Sequence, residues 1–420
     1  MKVFKFGGAS VKNADAIRNM SQILMTYNGK KLVVVISAMD KTTNALEGIL
    51  HARMRNENIS EQVKKVSDFH LKAIPELFPD GNPELQSVVQ YLMDKLNTTL
   101  ETHDQLDYNK FYDAVVSTGE YLSSAIVCNY LNSIGFISHW MDASKFIRTD
   151  ASYREGIVNW RLTGNLIRNS FKEILNTKTV VTQGFIGGTE EGQITTLGRE
   201  GSDYTAAIIA SALEAESVTI WKDVPGILNA DPKKVPGAVL FPELPYTEAS
   251  EMTYYGASVI HPKTIKPLAN KKIPLYVKSF DHPDEPGTII HKCKVTTTIP
   301  TIIFKENQCL FSFKVLDFTF VNEENLSKIF HELHELNIRI NMMQNSAISF
   351  SVVFDFDPIR VDLLKERLRD NYTFLYNKNL TLITIKNSNE QLEKEYSGKR
   401  KIYLMQRSRK NVRYLVAEKS

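Results

Sequence analysis

Two glycine turns carry the residues whose types best suit chemistry on a phosphate. The first turn, Lys5 to Val11, reads KFGGASV and follows an apolar run that begins at Val3. The second turn, Leu197 to Asp203, reads LGREGSD and leads into an alanine-rich stretch typical of a helix. Backbone N–H groups in such turns, and the helix N-terminus that follows, favour an anion. The two turns therefore predict one site for a nucleotide and a second anionic ligand.

The charged residues of these turns have both chemical and structural interpretations. Lys5 would neutralise phosphoryl oxygens during transfer, or it is an exposed lysine on a first strand. Arg199 has the fork geometry that grips a carboxylate, whereas Asp203 either contributes to the site or caps the helix predicted over 204–213. Glu120 follows Gly119 and either binds a substrate ammonium or is a first-turn acid of a helix.

Other motifs narrow the type of site. The loop over 221–233 has Pro-Gly and Asp-Pro pairs and either cradles a base and ribose or is simply a structured turn. Neither a Walker A sequence nor a GxGxxG sequence occurs, which argues against a P-loop or Rossmann nucleotide site. His331 and His334 are three residues apart rather than four, so we interpret them as solvated helix positions and predict no metal site.

Composition indicates an ordinary globular protein. The 420 residues are 43% hydrophobic and 24% charged, with a net charge of +3 that is too small to indicate nucleic-acid binding. No apolar run is long enough for a membrane span, and Met1 to Phe4 leads directly into a turn rather than a signal peptide. Three cysteines without C-x-x-C spacing predict free thiols and a cytoplasmic location.

Residues 1–292 alternate apolar strands with helical stretches, which predicts a domain with an open, mostly parallel sheet between helix layers. Polar residues follow each predicted strand, at the sheet edge where ligands bind in open α/β folds. Residues 50–110 are mostly polar and predict a helical insertion. The predicted strands cover 33–36, 114–116, 179–182 and 218–221.

Residues 293–420 change pattern and predict a second domain. The order strand, helix, strand, strand, helix, strand is the ferredoxin-like α+β unit. Residues 401–417 add two short strands, while 387–400 reads as one polar stretch in place of a strand and a helix. The recognisable elements cover 309–315, 322–336, 347–354, 358–371 and 380–385.

Taken in order, the motifs up to about residue 290 resemble the amino-acid kinase family, and within it the aspartate kinases. KFGGASV resembles the family's KFGGTSV opening, and Ser117 to Glu120 matches S-x-G-E. The second turn resembles TTLGRGGSDYTA, and Trp221 to Gly226 resembles WTDVPG. Further matches lie at 37–46, 183–187 and 256–262. The C-terminal part resembles the ACT modules that sense amino acids in this family.

This resemblance implies ATP-dependent phosphorylation of the side-chain carboxylate of L-aspartate to 4-phospho-L-aspartate, the first step of lysine, methionine and threonine synthesis, with ATP and Mg²⁺. It makes Lys5 the transition-state lysine and Asp203 its organiser. The implied aspartate-binding residues are Ser37, Thr43, Glu120, Phe185, Arg199 and Ser202. The implied ATP-binding residues are Lys5, Gly7, Gly8, Ser10, Lys222, Asp223, Leu228, Lys233 and Ser258.

The sequence also departs from the family pattern at several of these positions. Ala9 replaces a threonine, Glu200 a glycine, Lys222 a threonine and Ser258 a lysine assigned to ATP phosphate. Lys222 or Lys263 could supply the charge lost at Ser258. Two alternatives stay open: a kinase acting on glutamate or acetylglutamate, and an amino-acid sensor with a decayed kinase domain.

In the C-terminal part the resemblance implies an effector segment and a dimer. Met343, Asn345 and Ser346 lie in the segment that resembles the family's effector motif. The family usually carries two ACT units, and the second is abbreviated here. Sheet pairing across a two-fold axis would make this region the contact of a homodimer. No nucleic acid or membrane partner is expected.

Overall fold

The computed structural model describes residues 1–102, 107–257, 260–294, 299–316, 320–398 and 400–417. The chain divides into two compact units. The first consists of Met1–Ile227, Leu240–Thr253 and Ser258–Val295. The second consists of Leu228–Val239, Tyr254–Ala257 and Thr296–Ser420. Two short segments, Leu228–Val239 and Tyr254–Ala257, therefore belong to the second unit although they precede the predicted boundary near residue 292.

The first unit contains an eight-stranded sheet whose central strands are parallel. β1 lies between β2 and β7, and the full order is β3-β4-β2-β1-β7-β9-β10-β8. Only the β9–β10 pairing is antiparallel, so the predicted open, mostly parallel sheet is confirmed. The strands of this sheet are β1 (Lys2–Phe6), β2 (Leu32–Ile36), β3 (Ser138–Met141), β4 (Thr179–Gln183), β7 (Ser217–Lys222), β8 (Glu243–Pro245), β9 (Leu275–Ser279) and β10 (Thr288–His291). A separate antiparallel pair consists of β5 (Ile186–Gly188) and β6 (Ile194–Thr196).

Helices cover this sheet, and β2, with the sequence LVVVI, is buried along its whole length as a strand covered on both faces should be. The helical insertion predicted over 50–110 is confirmed by α3 and α4. The helices are α1 (Ala14–Met25), α2 (Thr42–Met54), α3 (Ser60–Leu77), α4 (Pro83–Glu101), α5 (Tyr108–Val116), α6 (Thr118–Ser133), α7 (Trp160–Ile174), α8 (Gly201–Leu213), α9 (Tyr246–Tyr254) and α10 (Pro262–Lys271). None of the described helices is both long and apolar enough to cross a membrane.

One predicted strand is wrong. The run Ala114-Val115-Val116 forms the last turn of α5 rather than a strand, and Asp107 caps that helix through the N–H groups of Asn109 and Lys110. Three apolar residues in a row cannot distinguish a buried helix from a buried strand. Glu120 therefore lies in the first turn of α6 after another helix, not at the end of a strand.

The second unit contains a six-stranded antiparallel sheet in the order β12-β13-β11-β14-β16-β15. Its elements are β11 (Thr301–Val315), α11 (Glu323–Glu335), β12 (Ile340–Asn345), β13 (Phe350–Asp355), α12 (Pro358–Leu368), β14 (Tyr372–Lys386), α13 (Glu390–Ser397), β15 (Ile402–Arg407) and β16 (Asn411–Ala417). The order β14-β11-β13-β12 with α11 and α12 is the ferredoxin-like arrangement, as predicted.

The polar stretch 387–400 is more structured than the sequence indicated. It contains α13, which Asn389 caps through the N–H of Leu392. Leu392 and Tyr396 pack on the cluster around Ile383 and Tyr414. The expectation of one polar stretch without a helix is therefore wrong, because Leu392 and Tyr396 give this polar segment an apolar face that packs on the sheet.

Candidate active site

Lys5 lies at the carboxyl end of the central strand β1 and is buried, with only 8% of its surface exposed. Its Nζ atom is 2.8 Å from Oδ1 of Asp203. An exposed lysine on a surface strand is therefore excluded. A buried ammonium held by one carboxylate is positioned to meet a second anion.

Asp203 lies in the first turn of α8 and brings two lysines together. While Oδ1 faces Lys5, Oδ2 is 3.3 Å from Nζ of Lys222 at the end of β7. Burial opposes its charge, but the two ammonium groups outweigh burial and lower the pKa of Asp203 below its ordinary value. The capping interpretation is wrong, because the N-cap position belongs to Glu200.

Glu200 and Lys222, two departures from the family pattern, lie beside each other. Oε2 of Glu200 is 4.0 Å from Nζ of Lys222. Burial raises the pKa of Glu200, while Asp203 and Glu200 raise the pKa of Lys222 against the opposing effect of burial. Glu200 also takes the left-handed conformation at φ 52°, which a glycine adopts without strain. The added negative charge thus has a cationic neighbour in the same site.

Glu120 supplies an acceptor for a positive group. Its side chain is buried in the first turn of α6, and burial raises its pKa to about 8 despite hydrogen bonds from backbone N–H groups, including that of Ala38. Its Oε2 has no hydrogen-bond partner within the described part of the chain. A buried carboxylate oxygen without a donor fits a ligand that brings its own N–H groups.

Glycines bring the backbone segments of the site close together. A Cβ atom on Gly8 would lie 2.8 Å from the carbonyl oxygens of both Ala38 and Asp40. A Cβ atom on Gly184 would lie 2.4 Å from Oγ of Ser202, so only glycine lets the end of β4 approach α8. Side chains at these two positions would push apart the turns that surround Lys5.

The remaining predicted substrate residues surround the ends of the central strands. Ser37 directly follows β2, and its carbonyl accepts a hydrogen bond from Ser123. Phe185 follows β4 at a left-handed φ of 67°, and its N–H donates to Thr205 of α8. Thr43 is half-buried at the start of α2, Ser202 is buried in α8, and Arg199 is exposed on the turn before it.

Only some of the predicted nucleotide-binding residues lie in the first unit near Lys5. Gly7 faces Lys5, since a Cβ atom there would lie 3.4 Å from its Nζ, and Ser10 is buried with Oγ 3.5 Å from the carbonyl oxygen of Trp221. Asp223 is exposed after β7. Leu228 and Lys233 belong to the second unit, and Ser258 lies outside the described residues. The roles of these three residues stay predictions.

The predicted effector residues lie at the edge of the second sheet. Met343 and Asn345 are in β12 and Ser346 follows it, and all three side chains are exposed. The carbonyl of Met343 accepts a hydrogen bond from Gln406. His331 and His334 are both exposed on α11, as expected for solvated helix positions.

Sequence reasoning missed Asp113, a buried residue of α5. Its carboxylate accepts hydrogen bonds from N–H and Oγ1 of Thr196 at 2.8 and 2.6 Å and from N–H of Arg154 at 2.9 Å. The bonds join α5 to β6, the strand that precedes the second glycine turn. The sequence offers one indication of its importance, an acidic residue beside an apolar run, but this pattern does not show which residues Asp113 contacts.

Comparison with known proteins places this geometry in a family. A sequence profile of the Amino acid kinase family matches residues 1–279. Lysine-sensitive aspartokinase 3 of Escherichia coli is 30% identical over 357 residues, which cover 84% of this chain and 78% of that protein. Chloroplastic aspartokinase 1 of Arabidopsis thaliana is 32% identical over 370 residues, which cover 84% of this chain but only 63% of the relative's own length.

A solved structure agrees with these relatives. The crystal structure of E. coli aspartokinase III in complex with aspartate and ADP matches at a TM-score of 0.87 and 27% identity, covering 99% of this chain and 96% of that chain. The profile match, the relatives and the fold lead to one conclusion: this chain belongs to the amino acid kinase family, on its aspartokinase branch.

Proposed function

We propose that the protein transfers the γ-phosphoryl group of ATP to the side-chain carboxylate of L-aspartate. The observation that carries the proposal is the ion-pair network of Lys5, Asp203 and Lys222, with Glu120 close enough to Lys5 for the two charges to interact. It offers two cations for phosphate oxygens and one carboxylate for an α-ammonium. E. coli aspartokinase III, whose crystal structure contains aspartate and ADP, supports the choice of ligands.

The reaction needs no general base. The nucleophile is a carboxylate whose ordinary pKa is near ~3.9, so it is ionised at neutral pH. The difficulty is the approach of an anion to an anionic phosphate, and positioning plus electrostatic stabilisation overcomes it. Lys5 would neutralise the charge on the transferred group, while Asp203 holds the ammonium of Lys5 in place.

The substrate would be fixed at both of its ends. Glu120 would accept the α-ammonium through its unpartnered oxygen, and the guanidinium of Arg199 would grip the α-carboxylate. Ser37, Thr43, Phe185 and Ser202 would line the aspartate site. Gly7, Gly8 and Ser10 would approach the phosphates through backbone N–H groups and a hydroxyl.

Mg²⁺ would enter with the nucleotide rather than bind a set of protein ligands. The carboxylate oxygens of Asp203 already face Lys5 and Lys222, and Mg²⁺ on nucleotides is held mainly by phosphates and water. When bound, the ion neutralises phosphate charge.

We also propose that residues 293–420 form a regulatory and homodimerising region with Met343, Asn345 and Ser346 at its effector site. Three free thiols support a cytoplasmic location.

The direct test is ATP consumption with L-aspartate, with the acyl phosphate trapped as the hydroxamate, on wild type and on Lys5→Ala. Lys5→Ala removes the ammonium group that would neutralise charge on the transferred phosphoryl group, and this should lower kcat by about 10²- to 10³-fold. Lys2→Ala, at the opposite end of the same strand, is the matched control and should retain activity. Turnover with L-glutamate instead of L-aspartate, or no aspartate-dependent turnover with Mg²⁺ present, would reject the proposal.

A second test asks which lysine supplies the positive charge that is lost because Ser258 replaces the family's lysine. Lys222→Ala and Lys263→Ala should each be compared with wild type for the KM of ATP. A raised KM in one variant would identify the lysine that substitutes. Unchanged values in both variants would exclude the substitution.

A further inference from the structure

Three side chains with different donor atoms meet away from the candidate active site. Glu243, His291 and Cys293 each offer a ligand atom, and these atoms all lie within 4.8 Å of one another. Nε2 of His291 is 2.9 Å from Oε2 of Glu243. In the part of the chain that the structure describes, this is the one group of three or more such donors.

The topology separates this cluster from Lys5. β10 runs antiparallel to β9, which is parallel to β7 and β1. His291, at the carboxyl end of β10, therefore lies at the opposite edge of the sheet from the carboxyl end of β1. The cluster and the phosphoryl-transfer residues are independent features of the first unit.

Strand register explains why the three side chains meet. Glu243 of β8 pairs with Ile289 of β10, and alternate residues of a strand share one face, so His291 projects on the face of Glu243. The N–H of Cys293 then donates to the carbonyl of His291 at 3.1 Å, and this tight turn keeps the thiol beside the imidazole. The arrangement follows from backbone geometry rather than from a chance meeting of long side chains.

We propose that Glu243, His291 and Cys293 bind zinc or a similarly soft divalent cation. Sulfur, imidazole nitrogen and carboxylate oxygen together match the ligands of zinc, whereas Mg²⁺ and Ca²⁺ require oxygen ligands throughout. A thiolate and a carboxylate balance the two positive charges, and the neutral imidazole contributes a lone pair. The thiol proton passes to solvent as the sulfur–metal bond forms, and water fills the fourth position.

The geometry requires only small side-chain movements. Bond lengths of about 2.0–2.3 Å place tetrahedral ligand atoms roughly 3.3–3.7 Å apart. The Glu243–His291 contact therefore opens slightly, while Sγ of Cys293 moves inward. Both strand side chains are partly exposed, at 43% for Glu243 and 30% for His291, so rotation meets little resistance. A bound cation would join the short edge strand β8 to the segment after β10.

The first test is protection of the thiol. Cys128 and Cys309 are buried, so Cys293 is the cysteine that iodoacetamide should reach in the folded full-length chain. Zinc chloride should slow alkylation of Cys293, located by mass spectrometry, by about tenfold or more. His291→Ala and Glu243→Gln should restore fast alkylation in the presence of zinc, since losing a ligand costs at least about 10- to 100-fold in affinity. His139→Ala, which removes an exposed histidine of β3, is the control and should keep the protection.

A second readout identifies the ligand directly. Cobalt(II) added to the full-length wild type should give a thiolate-to-cobalt absorption band, and Cys293→Ser should lose this band while circular dichroism stays unchanged. The proposal fails if a tenfold excess of zinc leaves the alkylation rate unchanged. It also fails if protection persists in His291→Ala, because zinc would then be acting elsewhere or on the thiol alone.

Discussion

At the scale of single residues, the site is a chain of alternating charges. Lys5, Asp203, Lys222 and Glu200 follow one another within ion-pair distance, so two ammonium groups face two carboxylates. Such a network holds each lysine in one place before any ligand arrives. An incoming phosphate competes with the carboxylates for the same ammonium groups.

Glu200 should therefore weaken nucleotide binding. Glu200→Gln removes a negative charge 4.0 Å from Lys222 without relieving the left-handed backbone. We expect the KM of ATP to fall by about fivefold, because a partly exposed pair of this kind contributes up to about 1 kcal/mol. Initial-rate measurements at saturating aspartate test this, with Glu190→Gln, an exposed acid, as the control. A KM for ATP that stays unchanged or rises would contradict the expectation.

Glu120 should release a proton when the amino acid binds. Burial raises its pKa to about 8, so it is mostly protonated at pH 7 in the free protein, whereas an ammonium ligand favours the carboxylate. The affinity for aspartate should thus increase as pH rises from 7 towards 8. Calorimetry at pH 7 in buffers with different ionisation enthalpies should show a buffer-dependent heat. Glu120→Gln should bind more weakly without that dependence, and a buffer-independent heat in wild type would refute the idea.

At the scale of elements, sequence patterns correctly predicted helices and strands where the hydrophobic pattern extends over a long enough segment. The amphipathic pattern over 322–336 gave a helix that the structure confirms as α11, and the β-branched run over 33–36 gave β2. Shorter runs failed, as with Ala114 to Val116, because their conformation depends on tertiary packing. The glycine turns predicted where a site for anions lies, but no local signal shows that Lys222 reaches Asp203, since that contact joins separate elements.

Asp113 should be a strong determinant of stability because it connects elements. Asp113→Asn keeps the shape but turns one acceptor oxygen into a donor that faces the donors of Thr196 and Arg154. We expect a loss of about 2–3 kcal/mol in the free energy of unfolding. Asp107→Asn, at the N-cap of the same helix, should cost less, since asparagine also caps well. Urea denaturation at pH 7.5 compares the two variants. Equal losses would show that the hydrogen bonds of Asp113 contribute no more to stability than the helix cap of Asp107.

Also at this scale, two long strands explain how the C-terminal sheet extends beyond the ferredoxin-like arrangement. The 15-residue strands β11 and β14 pair along 301–305 with 382–386 and along 310–315 with 372–377. The second of these pairings belongs to the ferredoxin-like unit with α11 and α12. The first continues the sheet into β16 and β15 beside α13. Sequence patterns show each strand but not that one strand serves both halves.

At the scale of the whole molecule, two buried groups give stability opposite dependences on pH. Burial lowers the pKa of His70 to about 4, so the folded state resists protonation and stability is lost as pH falls from 6.5 towards 4. Burial raises the pKa of Glu120 to about 8, so its contribution is fully present below 4.5 and is lost as pH rises through 8. Between pH 4.5 and 6.5 the two effects largely cancel.

Above pH 6.5, of these two groups only Glu120 still binds a different number of protons in the folded and unfolded states, so its contribution to stability should be lost as pH rises to 8. The loss should be about 2 kcal/mol, from ~1.5 pH units at ~1.36 kcal/mol each. The urea midpoint should therefore fall more steeply over this range in wild type than in Glu120→Gln. Glu173→Gln, an exposed acid of α7, should keep the wild-type slope. Equal slopes in wild type and Glu120→Gln would mean that Glu120 is already ionised in the free site, and its proton release on substrate binding would be excluded with it.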